Sequence, residues 1–218
     1  MELDRIEMLP GLYPYLTSLA PPGHPVLDEM ERFGARRRFP LIGPLVGRLL
    51  LQLATISGAR RVLELGSGFG YSAAWFLLAH PELRVTCSDM SSMNRDRAHA
   101  FLERLGALDR VDFRVADGIS VARELDGPFD IVFCDLDKRR YLEAFEASVG
   151  KLRSGGMFVA DNSLWRGYSW HPAADDQPEF RREAIPGVRA FNAAAHRHPD
   201  VITTIIPLRD GISLSVRR

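Results

Sequence analysis

The sequence predicts an α/β fold on a doubly wound, mostly parallel sheet of about seven strands, with helices on both faces. Three observations predict it. From residue 61 onward, short β-rich runs alternate with helical stretches, the pattern of βαβ units. One run, FDIVFCD, is apolar almost throughout, as befits a strand covered on both faces. The last two runs, VITTIIPL and GISLSVRR, meet through Leu208-Arg209-Asp210-Gly211. Asp-Gly is a hairpin signal, so the sheet should end in an antiparallel pair.

The elements follow in order. The first 58 residues read as helices broken by Pro10, Pro14, Pro21, Pro22, Pro25, Pro40 and Pro44. They form an N-terminal extension (1–58) able to cap one end of the sheet, ahead of the main unit (59–218) of a single domain. Strands are predicted at 61–65, 84–89, 111–117, 129–135 and 157–161. Helices are predicted at about 71–80, 92–105, 118–125, 138–153 and 186–197. Residues 166–187 are polar, contain proline and lack periodicity, which predicts a long functional loop.

Composition narrows the function classes. The chain has 218 residues, 46% hydrophobic and 26% charged, as in ordinary globular proteins. Lys+Arg and Asp+Glu balance at 28 each, so no overall field selects nucleic acid or anionic lipid. Arginine clusters at 36–38, 60–61, 139–140 and 181–182 leave room for an anionic partner. Cys87 and Cys134 fall inside strand-like runs and read as buried thiols of a reducing compartment. The opening MELDRIEMLP lacks the basic and apolar regions of a secretory signal. The most apolar stretch, LIGPLVGRLLLQLATIS, is interrupted by Arg48 and Gln52 and is too short for a bilayer. A soluble, cytoplasmic protein without a membrane partner is expected.

The stretch RVLELGSGFGYSA, residues 61–73, places Gly66-Ser67-Gly68-Phe69-Gly70 directly after the first strand. In an open α/β sheet, ligands bind beyond the carboxyl ends of the strands. A P-loop would need a Lys-Ser/Thr pair after the last glycine, where Tyr71-Ser72 stand. A dinucleotide fingerprint is one residue longer than this G-x-G-x-G. Glu64, two residues before the loop, would repel a pyrophosphate but suit a ligand with positive groups. S-adenosylmethionine carries a sulfonium and an ammonium and no phosphate. Asp89, at the end of the second strand, is placed for ribose hydroxyls. Asp117, at the end of the third, either accepts from an adenine amino group or caps the next helix.

These residues resemble those of a known family. RVLELGSGFGYSA is similar to the cofactor loop of class I S-adenosylmethionine-dependent methyltransferases, a Rossmann-like fold. More narrowly, the chain resembles the cation-dependent O-methyltransferases typified by catechol and caffeoyl-CoA O-methyltransferases. The resemblance runs from about Phe39 to the C-terminus, through FPLIGPLVGRLL, CDLDKRRY, SGGMFVADNSLWRG, VRAFN and IPLRDGISL. The first 38 residues carry no such mark. The cofactor set so implied is Glu64, Gly66, Ser67, Gly68, Gly70, Ser72, Asp89, Met90, Asp117 and Asp135.

Asp135 ends the fourth strand and Asp161-Asn162 end the fifth. Neighbouring strands lie about 4.8 Å apart, so these oxygens can converge beside the loop. Two carboxylates and an amide suit a hard cation, though the same residues also cap helices. The resemblance decides for metal: Asp135, Asp161 and Asn162 match the family's ligands, with Mg²⁺ first and Ca²⁺ or Mn²⁺ as alternatives. Lys138 matches the general base in Asp-x-x-Lys, and Asp137 and Tyr141 fit the bacterial form of that motif. A lysine beside a metal and a sulfonium should have a lowered pKa. Leu136 departs from the family, where a smaller residue or His is common.

The implied reaction is methyl transfer to one hydroxyl of a catechol-like molecule, with Asp135 and Lys138 as catalytic residues. Asn162, Lys138 and Trp165 would touch this acceptor. Trp165, Tyr168 and Trp170 are expected to wall its pocket, and the pair His196 and His198 is expected on the surface. Two other readings compete: a methyltransferase acting on a hydroxylated tRNA base, and a cofactor-binding protein without catalysis. Relatives are often homodimers, and the N-terminal helices offer an interface for one here.

Overall fold

The computed structural model describes residues 11–20, 23–171 and 178–218. The opening MELDRIEMLP, with Pro10, and the residues Pro21 and Pro22 lie outside the described residues, as do 172–177 of the expected loop. Among the described residues no helix is long and apolar enough to cross a membrane.

Three helices come first: α1 (Leu12–Leu19), α2 (Pro25–Arg37) and α3 (Gly43–Ser57). Of the prolines expected to break them, Pro40 lies between α2 and α3, whereas Pro14, Pro25 and Pro44 sit within the first turns of α1, α2 and α3, where a missing N–H costs little. Then come β1 (Arg61–Leu65), α4 (Tyr71–Leu77), β2 (Arg84–Asp89), α5 (Ser92–Arg104), β3 (Val111–Val115), α6 (Gly118–Glu124) and β4 (Phe129–Cys134). The chain closes with α7 (Tyr141–Ser148), β5 (Leu152–Ala160), α8 (Glu179–Arg197), β6 (Val201–Ile206) and β7 (Ile212–Arg217).

The seven strands form one sheet in the order β3-β2-β1-β4-β5-β7-β6. Neighbours are parallel up to β4–β5, and β7 is antiparallel to both β5 and β6. The expected antiparallel ending is present, with β7 inserted between its partners. Side chains alternate across the strands and so build two cores. Val62, Ile131, Phe133 and Val159 pack beneath α2–α5, while Leu63, Leu65, Val132, Cys134 and Phe158 pack beneath α6–α8. Strand order reverses between β1 and β4, and the crevice at their carboxyl ends is where such sheets bind ligands.

Three expectations are corrected. The helix predicted at 138–153 is shorter: 3₁₀ turns at 138–140 and 149–151 flank α7. The fifth strand starts at Leu152, five residues early, because Ser154-Gly155-Gly156 sits inside an irregular strand and does not turn the chain. Part of the loop predicted at 166–187 is helix, since α8 begins at Glu179 and passes through Pro186. Ala184, Ile185, Val188 and Phe191 are buried along one side of α8. That burial outweighs the one backbone hydrogen bond a proline removes.

Candidate active site

The glycine loop is shaped by the strands around it. Gly66 and Ser67 both donate their N–H to the Ser88 carbonyl of β2, at 3.0 and 2.8 Å. Gly66 has φ +88, and a Cβ there would stand 2.5 Å from the Asp135 carbonyl oxygen. Only glycine lets the loop pass so near the end of β4. Asp89 accepts from the Gly68 N–H at 3.0 Å through one oxygen. Its other oxygen accepts from Ser91 N–H and Asn94 Nδ2, so one carboxylate ties the loop to the start of α5. Gly70 starts α4, and Phe69 packs against Phe33 and Phe39, with centroids 5.2 and 5.0 Å away.

Glu64 lies beneath this loop, fully buried. It accepts from the Ser72 hydroxyl and from the Cys87 thiol, the latter at 3.6 Å. Burial pushes its carboxyl up to about 7 against the hydrogen bonds of Ser72, Ser67 and Cys87. Glu64 does not line the cavity above, whereas Ser67 and Ser72 do. Its influence on a ligand therefore passes through the two serines. Asp117 lines the cavity, and its carboxylate caps α6 through Ser120 N–H at 3.0 Å and holds Arg140. These partners keep it at about 2, with the Arg140 hydrogen bond first.

The cavity at the carboxyl end of the sheet has a volume of about 1320 Å³. The expected cofactor residues Gly66, Ser67, Gly68, Ser72, Asp89, Met90, Asp117 and Asp135 line it. Gly70 does not, and acts as the N-cap of α4. Lys138, Asp161, Asn162 and Trp165 line it from the other side, so both expected halves of the site face one space. Met90 stands 74% exposed on the cavity wall. Of the three expected aromatics, Trp165 faces the cavity, with its Nε1 donating to the Arg181 carbonyl at 2.9 Å. Tyr168 and Trp170 do not line it. His196 and His198 also lie outside it; His198 is half-buried edge-on to Phe145, at 5.5 Å, and so is not the surface residue expected.

Asp135, Lys138 and Asp161 form the charged centre. Lys138 Nζ meets Asp135 Oδ1 at 2.6 Å. Burial pushes the Lys138 ammonium down, the Asp135 carboxylate pushes it up, and the carboxylate prevails. Asp161 is 3% exposed, and its Oδ1 has no hydrogen-bond partner. Burial, reinforced by the Asp135 charge, pushes its carboxyl up to about 7. A buried carboxylate oxygen without a donor is costly unless something positive completes it. Among the described residues no three His, Cys, Asp or Glu side chains gather as a metal group. The site offers two carboxylates and the Asn162 amide, an all-oxygen set that fits Mg²⁺, Ca²⁺ or Mn²⁺.

Several supporting contacts were not foreseen. Tyr141 Oη donates to the Asp161 carbonyl at 2.9 Å from within the core. In the β6–β7 turn, the Asp210 and Gly211 carbonyls accept from Leu164 and Ser163 N–H at 2.8 and 2.9 Å. Asp210 Oδ2 accepts from Asn162 Nδ2 at 3.4 Å. The Asp-Gly pair that signalled a hairpin was the only sequence trace of this brace.

Comparison with known proteins agrees with this geometry. The O-methyltransferase family model matches residues 17–218. Tricin synthase 2 of Oryza sativa subsp. japonica is 32% identical over 184 residues, covering 80% of this chain and 62% of that one. Caffeoyl-CoA O-methyltransferase of Pinus taeda is 29% identical over 218 residues, covering 95% and 84%. The O-methyltransferase of Bacillus cereus, solved in complex with SAH, superposes with a TM-score of 0.82 at 26% identity, covering 94% and 96%. TomG of Streptomyces achromogenes, solved in complex with SAM, gives 0.81 at 27% identity, covering 93% and 94%. The chain belongs to the O-methyltransferase family and is a class I S-adenosylmethionine-dependent enzyme.

Proposed function

We propose that this enzyme methylates a hydroxyl of a catechol-like small molecule with the help of a divalent cation held by Asp135, Asp161 and Asn162. The observation that carries the reading is the unpartnered, buried Asp161 Oδ1 beside Asp135, on the wall of the cavity that also holds the glycine loop. Caffeoyl-CoA O-methyltransferase of Pinus taeda, similar along nearly the whole chain, is named for an acceptor of hydroxylated aromatic kind.

When bound, S-adenosylmethionine supplies an electrophilic methyl group, and the cation makes a neighbouring hydroxyl more acidic. The chain's own residues do the rest. Ser67, Ser72 and Asp89 hold the cofactor's polar groups along the loop, and Met90 covers its exposed side. Trp165 presents an apolar wall to the acceptor ring. Lys138 Nζ would give up its own proton to solvent once the Asp135 carboxylate that keeps it charged is drawn to the cation, and the neutral amine would then accept the hydroxyl proton. Holding both reactants in one enclosed space supplies a large part of the rate.

The test is methyl transfer from radiolabelled S-adenosylmethionine to a panel of catechols, with added Mg²⁺ or with EDTA. Transfer abolished by EDTA and restored by Mg²⁺ is the expected outcome. Transfer indifferent to EDTA overturns the metal assignment; transfer only to bulk tRNA overturns the acceptor.

A further inference from the structure

Among the described residues, five other than glycine have left-handed backbone conformations: Arg38 (φ 52°), Asn162 (φ 55°), Trp165 (φ 45°), Arg166 (φ 55°) and Arg209 (φ 52°). All five line the large cavity. Side chains of L-residues crowd the backbone in this region, and such strain persists where function or surrounding structure demands it. Asn162 and Trp165 already belong to the site described above. The other three are arginines.

Their positions make the choice of arginine notable. Arg38 is the C-cap of α2 and Arg209 lies in the β6–β7 turn, two places where glycine or asparagine fits at less cost. Arg166 follows Trp165 in the 3₁₀ turn after the Asp161-Asn162 pair. All three side chains are exposed at the cavity rim. Among the described residues none of them meets a carboxylate within 4.0 Å. Of the acids near the rim, Asp137 is held by Arg139, Asp117 by Arg140 and Asp135 by Lys138, while Asp210 accepts from the Arg166 backbone N–H and from Asn162 Nδ2. Arg209 gives one N–H to the Leu41 carbonyl at 2.8 Å, which aims the guanidinium and leaves its remaining donors. The cavity, at about 1320 Å³, exceeds the roughly 300–1,000 Å³ usual for a single small ligand.

We infer that Arg38, Arg166 and Arg209 form an anion-reading rim, and that the methyl acceptor carries a carboxylate or phosphate group beyond its hydroxylated ring. This rests on the proposed catechol-type acceptor and names its chemical class more closely. Guanidinium groups bind either anion through paired N–H donors, so the shared chemistry is a planar or tetrahedral oxyanion. An acceptor reaching from Lys138 and Asp161 to the rim would be gripped at both ends, which fixes the orientation of its hydroxyls.

The experiment compares 3,4-dihydroxybenzoate, its methyl ester and the corresponding catechol phosphonate. Each is titrated by calorimetry into the protein saturated with S-adenosylhomocysteine, then assayed for methyl transfer with Mg²⁺. The proteins are the wild type, Arg38→Gly, Arg166→Gly and Arg209→Gly. The wild type should bind an anionic acceptor at least tenfold more tightly than the ester. That preference should fall about tenfold in one or more of the variants, appearing in KM more than in kcat. Glycine relieves the backbone at each position, so the thermal midpoint should hold or rise while the preference falls; a purely structural arginine would give the reverse. Preference for the phosphonate over the carboxylate identifies a phosphorylated acceptor, and the opposite order a carboxylic acid. Equal binding of acids and ester, or a preference that survives all three substitutions, overturns the rim and leaves the catechol reading intact. Discrimination without methyl transfer overturns the catechol reading and leaves the rim; binding of none of the three overturns both.

Discussion

Glu64 and Asp117 are both acids beside the cofactor space, and their surroundings drive them in opposite directions. Glu64 is buried and rises to about 7 from an ordinary 4.5. The folded chain therefore keeps a proton that the unfolded chain has lost between those two values. Its contribution to stability is fully present below pH 4.5 and is lost as pH rises to about 7. Glu64→Gln has no such loss. Its stability relative to wild type should improve from pH 5 to pH 8, by about 3 kcal/mol at most, in urea unfolding of the cofactor-free chain. Asp117 behaves oppositely, since Arg140 and Ser120 draw it down to about 2. Its contribution is present above pH 3.8 and is lost as pH falls through 2. Asp117→Ala should cost about 1 kcal/mol at neutral pH as a lost helix cap, and that difference should fade in acid. The sequence located Glu64 inside the first strand, as observed, and put Asp117 at the end of the third, which stops two residues sooner at Val115. It left Asp117 open between helix cap and ligand, and it gave no sign of Arg140, which holds the carboxylate from 23 residues away.

At the scale of elements, the β6–β7 turn and the segment after β5 act as one piece. Ser163 and Leu164 hang from the Gly211 and Asp210 carbonyls, and a Cβ on Gly211 would stand 2.8 Å from the Leu164 nitrogen. Gly211→Ala should therefore displace Asn162 and Trp165. The Mg²⁺ concentration needed for half-maximal transfer should rise about tenfold, while cofactor affinity measured by calorimetry changes little. An equal loss in both would mean that the turn supports the fold in general. The hairpin itself was legible in Leu208-Arg209-Asp210-Gly211, and the strands of β1–β4 in their apolar runs. The start of β5 and the extent of α8 were not. Ser-Gly-Gly inside a strand and Pro186 inside a helix read locally as breaks, and only the neighbours packed against them hold these segments in place.

Across the whole molecule, reversal of strand order between β1 and β4 opens the crevice, and the two cores fix its walls. The N-terminal helices complete it from above. Tyr71 donates to Glu31 of α2 at 2.6 Å, and Phe33 and Phe39 pack on Phe69 within the glycine loop. The sequence marked this segment as a cap on the sheet, but not its contacts with the glycine loop, which lies far along the chain. Phe39→Ala should weaken cofactor binding several-fold by loosening Phe69, with the secondary structure intact by circular dichroism.

The central claim is that a cation at Asp135, Asp161 and Asn162 sustains methyl transfer. The most direct measurement titrates Mn²⁺ into metal-free enzyme, following bound ion by electron spin resonance and methyl transfer in the same samples. One bound ion per chain, transfer rising in step with occupancy, and loss of both in Asp161→Ala are predicted. Transfer at full rate with no ion bound, or ion binding untouched by Asp161→Ala, would contradict it.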